Sequence, residues 1–128
     1  MIRTSCELAL FDLLGVALWN KSPEQDYNSF SDSDWDSLYR LAVCQGVCGL
    51  VFEGIVKLEE EAQPYEQLML VWAANTKLLE ARSKQHTHTL LCLKEELSRQ
   101  GIEMLLLKGK ALAGYYPVPE HREYGDID

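Results

Sequence analysis

The residues Asp126-Ile127-Asp128 have the types and spacing of a divalent-metal site. In an extended segment residues i and i+2 share a face, so both carboxylates would point the same way, with alpha carbons roughly 6.5–7 Å apart. Ile127 would point into a core. Carboxylates so placed can share one or two Mg²⁺ ions, whose oxygen ligands sit at about 2.0–2.1 Å and usually include phosphate oxygens. Paired ions about 3.5–4 Å apart activate an attacking oxygen and stabilise a leaving one. Asp-x-Asp alone is common, and a solvated acidic terminus is the plain alternative. Its surroundings decide between them.

Those surroundings are ordered. "IEMLLL" (102–107) is a short apolar run ending at Lys108-Gly109, which predicts a buried strand and a tight turn, although leucine is a modest strand former. "KALAGYY" (110–116) predicts a short helix, and "PVPEHRE" (117–123) a loop restrained by Pro117 and Pro119. "YGDID" (124–128) then begins a second strand. "GKALAG" is not a Walker loop, because the order G-x-x-x-x-G-K-[ST] is absent.

The run "LLLKGKALAGYYPVPEHREYGDID" resembles the opening of the nucleotidyltransferase superfamily, the DNA polymerase beta-like fold. It is most similar to a group of poorly characterised bacterial nucleotidyltransferases with an apolar strand ending in Lys-Gly, a short Ala/Leu helix, a Tyr-Pro loop, an Arg, and Gly-Asp-Ile-Asp. The resemblance covers about the last quarter of the chain. It implies that Asp126 and Asp128 are catalytic metal ligands for Mg²⁺ and that Lys108 and Gly109 lie near the triphosphate of a nucleoside triphosphate. The helix N-terminus after Gly109 would offer N–H groups to phosphate, and Arg122 would be a further phosphate or substrate contact. Many superfamily members carry Gly-Ser or Gly-Gly where this sequence has Lys108-Gly109. They also complete the site with a third carboxylate on a later strand. The resemblance therefore implies a truncated site, inactive in the chain as given. Arg122 pairing locally with Glu120 or Glu123, and Lys108 reaching solvent, are the alternatives.

Ahead of this region the sequence is helical. Leu8, Phe11, Leu14, Leu18 and Trp19 recur at helical spacing over 5–19. A polar, proline-containing loop follows, and a second helix is expected from Ser33, with Asp36 as a variant capping box. "LVFEGIVKL" (50–58) predicts a third helix. Pro64 suits the first turn of a fourth, which keeps its period to Gly101, about 36 residues or roughly 54 Å. Trp19, Trp35 and Trp72 are read as core packing, the glutamates at 59–61 as a solvated loop, and His86 and His88 as surface residues.

Composition narrows the function classes. The hydrophobic fraction of 47% is enough for one core, and no apolar run approaches the roughly 20 residues that span a bilayer. Twenty acidic against twelve basic residues give a net charge of −8, which argues against broad nucleic-acid binding. Cys6, Cys44, Cys48 and Cys92 occur without a secretory signal, as expected of reduced thiols in a cytoplasmic protein. The pairs Cys44/Cys48 and His88/Cys92 have helix-face spacing, yet no zinc-knuckle turn accompanies them, and buried thiols are the simpler reading.

The expected architecture is α+β: a helical region over 1–100, then the first strand–helix–strand of a nucleotidyltransferase core over 101–128. The expected reaction is transfer of a nucleoside monophosphate from a triphosphate to an unidentified acceptor. The rival is a non-catalytic helical interaction module, prone to self-association into a homo-oligomer through an unpaired sheet edge.

Overall fold

The computed structural model describes residues 3–125. Five α-helices are present among them: α1 (Ser5–Trp19), α2 (Asp32–Cys44), α3 (Cys48–Val56), α4 (Glu66–Arg99) and α5 (Lys110–Ala113). Single 3-10 turns lie at Tyr27–Ser29, Glu60–Ala62 and Pro119–His121. The chain divides into two compact units, one ending at Thr76 and the other beginning at Lys77.

The first unit is built on two capping boxes. Thr4 Oγ1 accepts the Glu7 N–H at 3.2 Å while Glu7 Oε2 accepts the Thr4 N–H at 2.9 Å, which starts α1. Ser31 and Asp34 do the same for α2, at 3.1 and 2.9 Å. The cap is therefore Ser31, two residues before the expected Ser33. Each box satisfies two N–H groups that a helix start leaves without intrahelical partners.

α1 buries a different face from the one its bulky residues suggested. Ala9, Leu10, Leu13, Val16 and Ala17 are buried, whereas Leu8 and Phe11 are exposed and Trp19 is 71% exposed. The reason lies in α3. A Cβ on Gly54 would sit 2.4 Å from the Leu13 carbonyl oxygen, so the two backbones are in direct contact. Such an approach needs the glycine at 54, and it leaves Leu8, Phe11 and Trp19 outward while Leu14 and Leu18 are half-buried. Trp35 and Trp72 are core residues as expected, while Trp19 is not. Trp72 closes the core against α3, donating its indole N–H to the Cys48 carbonyl at 2.9 Å.

The loop after α1 is held by one carboxylate. Asp12 accepts the backbone N–H groups of Glu24 and Gln25 at 3.0 Å and the Tyr27 hydroxyl at 2.6 Å. Tyr27 in turn stacks on Trp35, with ring centroids 5.6 Å apart.

The second unit overturns the expected α+β architecture. No strand occurs among the described residues, and 102–107 has no regular structure. Glu103 to Leu107 make no backbone hydrogen bond among those residues. A strand is defined by the ladder it shares with a neighbour, and among the described residues no segment is paired with this one. Tyr124 and Gly125 are likewise not in a strand. The rest of the expected second strand, residues 126–128, lies outside the described residues. The described architecture is all-helical.

Candidate functional site

The site-bearing segments lie in the unit that begins at Lys77. α4 ends with the Ile102 N–H bonded to the Leu97 carbonyl at 2.9 Å, and the chain then runs without regular structure to Lys108. Gly109 adopts φ 48°, ψ −101°, a conformation open to glycine and strained for a residue with a Cβ. Lys108 is exposed and Gly109 buried. The expected tight turn is present, closed by the Ala111 N–H on the Lys108 carbonyl at 3.0 Å.

The helix after the turn is a single turn of four residues. Its Ala111 and Ala113 N–H groups are taken by the Lys108 and Gly109 carbonyls. A helix so short has little macrodipole, so the expected anion-binding N-terminus is weak. α5 packs against the Pro119–His121 turn, which brings the Lys108-Gly109 turn and the segment leading to Arg122 into one compact unit.

Arg122 is half-buried. Its Nη1 donates to the Glu123 carbonyl at 3.0 Å, and its guanidinium carbon lies 6.0 Å from the Tyr116 ring centroid. The local partner is thus a backbone carbonyl, and the other guanidinium donors keep their capacity for a bidentate anion.

Two features were not read from the sequence. His121 is buried, with Nε2 2.9 Å from Glu80 Oε1 on α4. His86, expected at the surface, is half-buried and meets the Tyr124 ring at 5.1 Å between centroids. Both contacts fasten the segment just before Asp126 to α4. The seven-residue spacing of Leu79 and His86, two turns of helix, was the one available signal, because it puts both on one face.

Between these segments is a small cavity of about 20 Å³, lined by Arg82, Ser83, His86, Arg122, Glu123 and Tyr124, among others. Charge is distributed unevenly along the chain. Residues 1–76 hold four Lys/Arg against twelve Asp/Glu, and residues 77–128 hold eight against eight. The whole net negative charge belongs to the first stretch, and the stretch carrying Lys108 and Arg122 is formally neutral.

Asp126 and Asp128 lie outside the described residues. Among the described residues no group of three His, Cys, Asp or Glu side chains could hold a metal ion. No helix of the described residues is long and apolar enough to cross a membrane. None of the four cysteines is in a disulfide, and only Cys48 is buried, while Cys44 and Cys92 are exposed.

A family model described as uncharacterised nucleotidyltransferase matches residues 31–128, which includes every motif position above. No curated protein and no solved structure matches the chain.

Proposed function

The chain belongs to the uncharacterised nucleotidyltransferase family, and from that premise we propose that residues 101–128 contribute to a metal-dependent nucleotidyl-transfer site. At the proposed site an acceptor hydroxyl attacks the α-phosphorus of a nucleoside triphosphate. A new P–O bond forms to the acceptor, the α–β bridge bond breaks, pyrophosphate leaves, and the acceptor proton passes to solvent or a base.

Asp126 and Asp128 are the proposed metal ligands and the catalytic carboxylates. Their oxygen donors suit Mg²⁺, which when bound would neutralise charge on the transferring phosphate. Lys108 and Arg122 steer the phosphates, and Gly109 lets the backbone come close to them. Arg122 is the better placed for a bidentate contact, because its carbonyl bond and its packing near Tyr116 fix the guanidinium plane.

The observation that carries this reading is the extent of the family match, which spans 31–128 and includes Lys108, Gly109, Arg122, Asp126 and Asp128. Calorimetry of ATP binding with and without Mg²⁺ tests it. Mg²⁺-dependent binding is expected in the unaltered chain, weakened about tenfold or more by Asp126→Asn, since even outer-shell changes at metal sites cost that much. Absence of binding, or equal binding by Asp126→Asn, would sink the proposal.

A further inference from the structure

Ser83 is only 5% exposed, and its hydroxyl has no hydrogen-bond partner. Its neighbours on α4 show how unusual that is. The Thr76 hydroxyl donates to the Trp72 carbonyl at 2.9 Å, and the Thr87 hydroxyl donates to the Ser83 carbonyl at 3.0 Å. This back-bonding to residue i−4 is the ordinary refuge of a hydroxyl within a helix. Ser83 does not take it. Two further buried oxygens, Glu123 Oε2 and the Tyr124 hydroxyl, also lack partners, and all three residues line the same cavity.

The cavity selects what these groups can share. About 20 Å³ admits one water and excludes a phosphate or a nucleotide. Its formal charges balance, with Arg82 and Arg122 offset by Glu120 and Glu123, so it favours neither an anion nor a cation. The three groups also match one water in donors and acceptors. The Ser83 and Tyr124 hydroxyls each donate to the water, and the water donates to Glu123 Oε2. Three hydrogen bonds are typical of a buried water.

We propose that Ser83, Glu123 and Tyr124 bind one buried water, and that through it they are positioning residues for the Asp126–Asp128 segment. The water joins α4 to a residue two positions before Asp126. Its second half rests on the reading of Asp126 and Asp128 as metal ligands.

The test uses the 128-residue chain. A crystal structure at a resolution that shows solvent should place one water within about 2.6–3.2 Å of all three oxygens. An unpaired buried hydroxyl is costly, so without the water Ser83→Ala would raise the urea midpoint. With the water, Ser83→Ala and Tyr124→Phe each lower it, reducing the folded-to-unfolded ratio about fivefold or more. Their double variant is then less than additive, because both changes break one network. A raised midpoint for Ser83→Ala, additive losses, or a cavity without water overturns the water site. For the positioning half, Mn²⁺ affinity by electron paramagnetic resonance should fall several-fold in Ser83→Ala at a temperature where it is fully folded. An unchanged affinity overturns positioning alone. No Mn²⁺ binding by the unaltered chain overturns positioning together with the metal reading, while the density still decides the water.

Discussion

Glu80 on α4 and His121 in the last 3-10 turn meet at 2.9 Å, Oε1 to Nε2, across 41 residues of sequence. This contact fixes the turn that immediately precedes Arg122. His121 is buried and Glu80 half-exposed, so the pair is protected from solvent on one side. Glu80→Ala leaves a buried imidazole without this acceptor and is expected to cost about 1–3 kcal/mol. Urea unfolding of the variant measures that loss. If Arg122 also contributes to ATP affinity, as proposed, Glu80→Ala weakens ATP binding without touching a phosphate contact.

Gly54 and Gly15 provide a paired test of the first unit's packing. A Cβ on Gly54 would strike backbone atoms of Leu13, the nearest at 2.4 Å, and a backbone cannot swing aside. Gly54→Ala therefore forces α1 and α3 apart and should cost about 1–3 kcal/mol or more. A Cβ on Gly15 would meet only the flexible Lys21 side chain, at 3.4 Å. Gly15→Ala should be neutral or stabilise by up to about 1 kcal/mol, because alanine is the better helix former. Thermal unfolding of the two variants separates these outcomes.

Gly54 also shows where the sequence was legible and where it was not. The helical period of 5–19 and the long period ending near Gly101 both correspond to helices, because those signals are local. Which face of α1 is buried is not local. Apolar residues surround that helix, and the choice of face was made by a glycine 41 residues after Leu13. The strand reading of 102–107 failed for a related reason, since a ladder is a property of two segments and periodicity describes one. In the candidate site, the Lys108-Gly109 turn was legible from its glycine. The Glu80–His121 and His86–Tyr124 contacts were not, because nothing in the spacing shows that the last loop returns to α4.

The alkaline stability of the first unit should depend on Tyr27. Burial, then the hydrogen bond to Asp12 and the charge of that carboxylate, push the Tyr27 hydroxyl well above its ordinary value of 10.0. The folded state therefore holds this proton more tightly than the unfolded state. Its contribution is fully present below about pH 10 and is lost as the pH rises above it. Tyr27→Phe should be less stable at neutral pH, having lost the bond to Asp12, but should show a shallower loss between about pH 9 and 11. Tyr65 is shifted the same way by its hydrogen bond to Asp36, so part of the slope should remain. Urea midpoints across that range check the sign. A slope unchanged by the substitution would place the alkaline transition elsewhere.

The irregular run 102–107 presents Leu105 at 79% and Leu107 at 64% exposure, beside backbone groups that make no hydrogen bond among the described residues. Leu106 between them is half-buried, so the exposed leucine surface of this run comes from these two side chains. Exposed apolar surface next to unpaired backbone favours association with another chain. The net charge of −8 opposes close approach of two copies, but residues 77–128 carry no share of it, so repulsion at this surface is weak. The mass of the chain by size-exclusion chromatography with light scattering is therefore expected to rise with concentration. Replacing both leucines, Leu105→Lys with Leu107→Lys, should raise the dissociation constant about tenfold or more. Each buried leucine is worth about 1.5–3 kcal/mol before the costs of association are met. Added salt should not restore association in the variant if the lost term is apolar rather than electrostatic. A monomeric mass for the unaltered chain at every concentration would show that this surface does not drive self-association.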